Sequence, residues 1–475
     1  MTKGQAFRAV GAAIAVSAAL AACGGGGTKA PSALDPANMV PANSVVYLSA
    51  TIRPHGSIKT NLSEAIDSIA GKGSASRLYA KFKKSSGRQW SELEAWAGQR
   101  AGVALTAVPS KLGGHQLTDD AVFVIPTNDP SAARKFLAKN IRQSFESWKV
   151  VGHYAIFGGK AAVARALATT PKTSLAADAG FRSDVAELGS GELFTAYAPL
   201  HQLYQELLPL LKSSPTYSAS TLSKAARQAP PGSSVAFGMA ALHNQFRVDF
   251  ISHGTPMSKP PASLIPTDVS SLPGSSWLAI ALGGALAKGS TVSALTAQLS
   301  KEFGTIQALS GKVGGHVANG PLSFVEQDLL PALGPAELSV SGSSSTTLQA
   351  GLVIAPANRS AGPRLVRAVK RLISGLPISA SANRGRVAVT FGFSSLAQLL
   401  NPSSKLAGNP SFKHALAQLP AGAKAEVYLN FGGIAALASL DPTAGSSTAM
   451  SVLHRLDYLI AGGTHSHFRL VLETY

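Results

Sequence analysis

Ser174-Leu-Ala-Ala-Asp-Ala-Gly-Phe-Arg-Ser-Asp-Val-Ala-Glu-Leu-Gly-Ser-Gly191 aligns without a gap on Lys405-Leu-Ala-Gly-Asn-Pro-Ser-Phe-Lys-His-Ala-Leu-Ala-Gln-Leu-Pro-Ala-Gly422. Phe181 falls on Phe412, Leu188 on Leu419 and Gly191 on Gly422, each 231 positions apart. Further out, Pro41-Ala-Asn-Ser-Val-Val-Tyr-Leu48 falls on Pro273-Gly-Ser-Ser-Trp-Leu-Ala-Ile280, residues 123–137 fall on 352–366, and His243-Asn-Gln-Phe-Arg-Val-Asp-Phe250 falls on His465-Ser-His-Phe-Arg-Leu-Val-Leu472. Ordered matches along most of a chain point to a repeat, and one of this period is too long for a solenoid unit. The reading is two tandem copies of one unit, 39–255 and 272–475. The linker between them, 256–271, carries Pro256, Pro260, Pro261 and Pro266 among Ser residues, as inter-domain segments do.

Within each copy, short apolar runs alternate with amphipathic stretches. Residues 121–125, 154–157, 193–197, 234–239 and 246–251 read as strands, and 61–70, 130–140, 160–168 and 200–211 as helices. Asp129-Pro130 is a good helix start, because the carboxylate can accept from orphan N–H groups and Pro fits the first turn. In the second copy 291–309 and 359–374 are the clearest helices, and 378–380 with 386–390 a strand pair. Strands joined by short polar turns must be antiparallel, since parallel neighbours need a long crossover. The expected fold class is α+β, an antiparallel sheet in each copy with helices packed on one face.

The N-terminus predicts export. Lys3 and Arg8 precede an apolar run over residues 10–20, and small residues follow, the order of a secretory signal over residues 1–22. Eleven apolar residues are too few to span a membrane, which takes about 20. Leu20-Ala21-Ala22-Cys23 resembles the lipobox of bacterial lipoproteins, whose Cys is acylated and becomes the new N-terminus. The chain has one Cys, and it is Cys23. Lipidation, by diacylglycerol and then a fatty acid such as palmitate, explains both its position and its being alone. Residues 23–38, opening on Gly24-Gly-Gly-Gly27, read as a flexible tether. The expectation is a lipid anchor in the cell membrane with the body on the extracytoplasmic side.

Composition narrows the partners. The 475 residues are 45% hydrophobic, enough for folded domains, and with no second Cys they fold without disulfides. Net charge is +18, and falls by two when Lys3 and Arg8 leave with the signal. Outside a cell the nearest polyanions are phospholipid headgroups and wall polymers rather than nucleic acid. Arg364, Arg367 and Arg371, set against Leu365, Val369 and Leu372, make a basic amphipathic helix. Arg134, Lys135 and Lys139, with Arg142, give the matching segment a similar face. A solvated polar face is the plain reading of both; contact with anionic headgroups or wall polymer is the functional one. Lys81-Phe-Lys-Lys84 with Arg88 is a further basic cluster, and Trp96 is expected to pack under a helix over 90–97.

The chain resembles a family of exported bacterial proteins known as domain of unknown function 3352, many of which carry a lipobox. The residues behind the resemblance are Val40-Pro-Ala-Asn-Ser-Val-Val-Tyr-Leu48, Phe123-Val-Ile-Pro-Thr-Asn-Asp-Pro-Ser-Ala-Ala-Arg-Lys-Phe-Leu137 and His153-Tyr-Ala-Ile-Phe-Gly-Gly-Lys-Ala-Ala-Val-Ala-Arg-Ala-Leu167. The resemblance spans residues 40–475 and implies placement and fold; the family has no settled activity to carry over.

Signatures of catalysis are missing. The sequence has no His-Glu-x-x-His, no Gly-x-Ser-x-Gly, no Gly-Lys-Ser/Thr and no Ser-x-x-Lys. His465 and His467, two apart, would share a strand face and could give two metal ligands, but the copy-one counterparts are His243 and Gln245, so surface or turn histidines are the expectation. No metal or other cofactor is expected. The leading expectation is a non-enzymatic binding or structural protein of the cell envelope. A hydrolase or transferase on wall or lipid substrate, or a carrier of an apolar ligand, are the alternatives.

Overall fold

The structure, a computed structural model, describes residues 34–108, 119–140, 145–212, 229–254, 268–282, 334–344, 346–356, 361–372, 378–383, 385–392, 396–439 and 448–475. These form an α+β fold in which all sixteen described strands lie in antiparallel order. The chain divides into two compact units. One comprises Met1–Met257 with His465–Arg469 and Glu473–Tyr475, the other Ser258–Thr464 with Leu470–Leu472.

In the first unit the elements run β1 (Val46–Thr51), α1 (Gly56–Ala70), α2 (Ser74–Glu94), β2 (Arg100–Leu105), β3 (Ala121–Pro126), α3 (Pro130–Asn140), β4 (Ser147–Val151), β5 (Tyr154–Gly158), α4 (Lys160–Ala168), α5 (Ala179–Leu188), β6 (Glu192–Pro199), α6 (Leu200–Lys212), β7 (Ser234–Leu242) and β8 (Gln245–His253). The strand order is β4-β5-β3-β2-β1-β6-β7-β8. The β7–β8 hairpin turns at His243-Asn244, where Asn244 takes φ 55°, a left-handed conformation that Asn tolerates better than other non-glycine residues.

Helices cover both faces of this sheet where one was expected. Val122, Val124 and Ile156 join Tyr47, Leu175, Phe181 and Leu188 in one core cluster. The alternate residues Ala121, Phe123, Ile125 and Phe157 join Phe82, Trp90, Trp96 and Leu137 in a second, under α2 and α3. The unbroken apolar run of β3 is the sequence signature of a strand buried on both sides, and all six of its residues are buried. Trp96 is buried as expected, but the helix before it is α2, which ends at Glu94 rather than running over 90–97. Arg100–Leu105 and most of α2 were not visible in the pattern, because their residues are too polar or too small to give a period.

The second unit runs β9 (Ser276–Leu282), β10 (Ala336–Ser341), β11 (Gln349–Ile354), α7 (Ala361–Leu372), β12 (Ile378–Asn383), β13 (Arg386–Phe391), α8 (Leu396–Leu400), α9 (Pro410–Leu416), β14 (Lys424–Asn430), α10 (Phe431–Ala438), α11 (Thr448–Leu453) and β15 (Leu456–Gly463); the last strand, β16 (His467–Thr474), is divided between the two units, Leu470–Leu472 counting with the second. Its strands follow the order β12-β13-β11-β10-β9-β14-β15. Leu365 and Val369 of α7 pack on Ile354, Ala380 and Val387, while Leu399 of α8 packs on the alternate residues Val353 and Ala388. The helix expected over 291–309 lies outside the described residues.

The aligned stretch that opens the sequence reading performs the same task in each unit. Leu175 N–H donates to Val40 O and Leu406 N–H to Leu272 O, both at 2.7 Å. Asp178 caps α5 by accepting from Phe181 N–H at 2.8 Å, and Asn409 caps α9 by accepting from Phe412 N–H at 3.1 Å, caps of a type that contribute about 1 kcal/mol each. Phe181 meets Tyr197 edge-on at 5.1 Å, and Phe412 meets Tyr428 edge-on at 5.1 Å. Among the described residues no helix is long and apolar enough to cross a membrane.

Candidate functional site

One face of β8 presents Arg247, Asp249, Ile251 and His253, since successive side chains of a strand point to opposite sides. Three of the four are ionisable, and they lie against α5 and the first residue of β6. Asp249, 1% exposed, is the centre. Its Oδ1 accepts from His467 Nε2 at 2.7 Å and from Arg469 Nε at 2.6 Å, and its Oδ2 stands 2.7 Å from Arg247 Nε. Arg247 continues outward through Nη2 to Glu192 Oε1 at 3.2 Å and to the Leu188 carbonyl that ends α5. The β7 strand crosses this row at Gly238, opposite Asp249; a Cβ there would stand 2.7 Å from Glu192 Oε2, so glycine is what admits the carboxylate.

The charge states follow from the surroundings. Burial alone would raise the Asp249 pKa, but the hydrogen bonds from His467 and Arg469 and the charges of Arg469 and Arg247 outweigh it and hold the carboxyl below its ordinary value. Glu192 goes the other way. Burial pushes its pKa up to about 7 against the pull of Arg247, with the Asp249 charge adding to the rise. Its Oε2 is buried without a partner, which suits a carboxyl that holds its proton near neutrality.

A second group closes the same face. His253 Nδ1 bonds Asp184 Oδ1 and its Nε2 stands 3.0 Å from Glu187 Oε1, both acids being on α5. Burial opposes the imidazolium, but the two carboxylates prevail and raise the His253 pKa. With both ring nitrogens on carboxylates, this ring serves as a cation clamp and has no lone pair facing solvent for base catalysis.

The residues singled out in the sequence fall elsewhere. Leu20, Ala21, Ala22 and Cys23 lie outside the described residues. Arg134, Lys135 and Lys139 are exposed on α3, and Lys139 Nζ pairs with Glu92 Oε1 at 2.9 Å. Arg364 and Arg367 are exposed on α7, opposite buried Leu365 and Val369; the Arg371 side chain lies outside what the structure describes. His465 and His467 do not share a ligand face. His465 is exposed ahead of β16, whereas His467 is buried on Asp249, so the expectation of two surface or turn histidines is corrected for His467. His243 is exposed beside Glu64 at 3.1 Å. Among the described residues no group of three or more His, Cys, Asp or Glu is placed to hold a metal ion.

The charged row was missed in the sequence, yet a signal existed. Arg247 with Asp249, and His467 with Arg469, are ionisable pairs two apart inside strands whose flanks are apolar. That is the mark of charge pointing inward.

No family model matches the chain, and no curated protein matches it. Among solved structures it is similar to TP0453, in a determination titled "Structure of crystal form III of TP0453", at 9% identity over 78% of this chain and 98% of that one, with a TM-score of 0.15. A likeness that slight carries neither fold nor function.

Proposed function

We infer that this chain is an exported lipoprotein, acylated at Cys23 and held on the extracytoplasmic side of a bacterial cell membrane, whose duplicated α+β body binds a partner or envelope polymer rather than catalysing a reaction. The observation that carries the reading is Leu20-Ala21-Ala22-Cys23 behind an apolar run, with that Cys the sole one in the chain. The equal hydrogen bonds, caps and aromatic pairs at 231- or 232-residue spacing support the duplication. The resemblance to domain of unknown function 3352 read from residues 40–48, 123–137 and 153–167 is consistent with the same placement.

The charged groups favour binding over chemistry. Asp249 faces two guanidinium groups and the His467 ring, and His253 faces two carboxylates, arrangements that occupy these side chains with one another instead of leaving an acid or base poised toward substrate. Exposed cations on α3 and α7 supply the attraction to anionic headgroups or wall polymer, each near a membrane surface contributing about 1 kcal/mol.

Growth with a tagged fatty acid tests the anchor: the wild-type chain takes up label and Cys23→Ser does not. A wild-type chain without label removes the reading. For the basic faces, the unacylated Cys23→Ser chain should bind anionic vesicles at low salt and release them at high salt; binding indifferent to salt, or none, removes that part.

A further inference from the structure

The second unit holds a pocket of about 360 Å³ that the charged row does not touch. Its size falls within the roughly 300–1,000 Å³ of small-molecule sites. It opens between the start of β9, the end of β14 and the first turn of α10, and none of its lining residues is charged. Ser275, Ser276, Trp277, Asn430 and Gly433 carry the argument.

Trp277 forms one wall. Its indole Nε1 donates to the Gly342 carbonyl at 2.9 Å, which fixes the ring and leaves its apolar body to the cavity. Ser276 is 3% exposed, lines the pocket, and its Oγ has no hydrogen-bond partner. A buried hydroxyl left unmatched is costly unless something else meets it. Asn430 stands at the N-cap of α10 but makes no capping bond with its side chain.

Gly433 packs α10 directly on the indole. A Cβ there would come within 2.3 Å of Trp277 Cγ, so no other residue lets α10 approach the indole. The aligned position of the first unit carries a side chain instead of a glycine. Gln202, 231 positions earlier on α6, reaches across to the Asn43 carbonyl, the counterpart of Ser275.

An immobilised aromatic wall beside uncharged hydroxyl and amide groups matches a ligand that has apolar C–H faces and many hydroxyls. It disfavours an anion, for which no cation lines the cavity, and a lipid tail, for which the lining is too polar. We propose that this pocket binds a neutral sugar, the terminal residue of an envelope glycan, with the ring against Trp277 and its hydroxyls on Ser276 and Asn430. The inference rests on the envelope reading for the source of the glycan, and on the pocket alone for the chemistry.

Saturation-transfer NMR on the full chain, with the methyl glycosides of glucose, mannose and galactose and with N-acetylglucosamine as probes, tests it. Ring protons of at least one probe should receive saturation, and Gly433→Gln, whose side chain would displace the Trp277 indole, should abolish the transfer. Ser276→Ala should weaken binding roughly two- to tenfold, the range of one hydrogen bond, and keeps the test valid if Gly433→Gln fails to fold. Absence of transfer to every probe, transfer unchanged in both variants, or transfer to N-acetylglycinamide in place of the glycosides overturns the proposal. Fatty-acid label on Cys23 without glycoside binding sinks this site and spares the anchor; glycoside binding without label supports the site and sinks the anchor.

Discussion

Asp249 accepts from Arg469 Nε at 2.6 Å although the two residues are 220 positions apart. With Arg247 and His467 on the same carboxylate, three cationic or potentially cationic groups share one buried anion. Removing that anion leaves like charges facing each other away from water. Asp249→Asn should destabilise the protein by about 3–5 kcal/mol, the range for breaking a buried pair. Urea denaturation measures it. Pairing the change with Arg469→Met should cost less than the two single losses together, because the second substitution removes a charge that the first had stranded.

Stability should fall as the solution is made alkaline. The folded chain keeps the Glu192 proton up to about pH 7, while the unfolded chain gives it up near 4.5, so unfolding becomes easier as pH rises through that window. His253, with its pKa raised, adds the same sign: its contribution is complete below 6.5 and is lost as pH climbs through the folded value. Asp249, with its pKa lowered, works at the other end, stabilising above 3.8 and failing as acid protonates the folded carboxyl. Urea midpoints at pH 5 and pH 8 should therefore differ in favour of pH 5, and Glu192→Gln should shrink the difference. A wild-type midpoint that is higher at pH 8 contradicts the assignment of Glu192.

Phe412 is fully buried among Leu406, Tyr428 and Tyr458. Phe412→Ala should cost about 3–5 kcal/mol by loss of transfer energy and creation of a cavity, and the Tyr428 edge contact goes with it. Thermal unfolding followed by near-ultraviolet circular dichroism reads both, since the tyrosine signal depends on that fixed contact.

Asn244 separates backbone from side-chain effects at the β7–β8 turn. Its φ of 55° strains an alanine by roughly 1–2 kcal/mol but not a glycine. Asn244→Ala should lower the denaturation midpoint and Asn244→Gly should leave it nearly unchanged, since Thr474 bonds the backbone carbonyl of Asn244 in either variant.

The frame was legible where local chemistry dictates it. Asp129-Pro130 set the start of α3, and the helix spans Pro130–Asn140 as the period indicated; α4 spans Lys160–Ala168 likewise. The hairpins at 234–253 and 378–391 showed in their apolar runs and short turns. Hidden were features set by distant neighbours. Nothing within α2 states that Phe82 and Trp90 will meet edge-on at 4.9 Å, because its Lys and Ser residues blur the apolar stripe. Of the two histidines compared for metal binding, His465 and His467, only the second matters to the interior. Its useful spacing is to Arg469, and it acquires meaning only when β16 residues lie beside β8.

The first unit is not assembled from its own early segment alone. Ser252 N–H bonds Ser466 O, Gln245 bonds Glu473, and His467 and Arg469 bond Asp249, so residues 465–469 and 473–475 finish a body begun more than two hundred residues before. A ribosome delivers those residues after everything else described here. Until they emerge, a nascent or truncated product carries an Asp249 with two of its three partners missing.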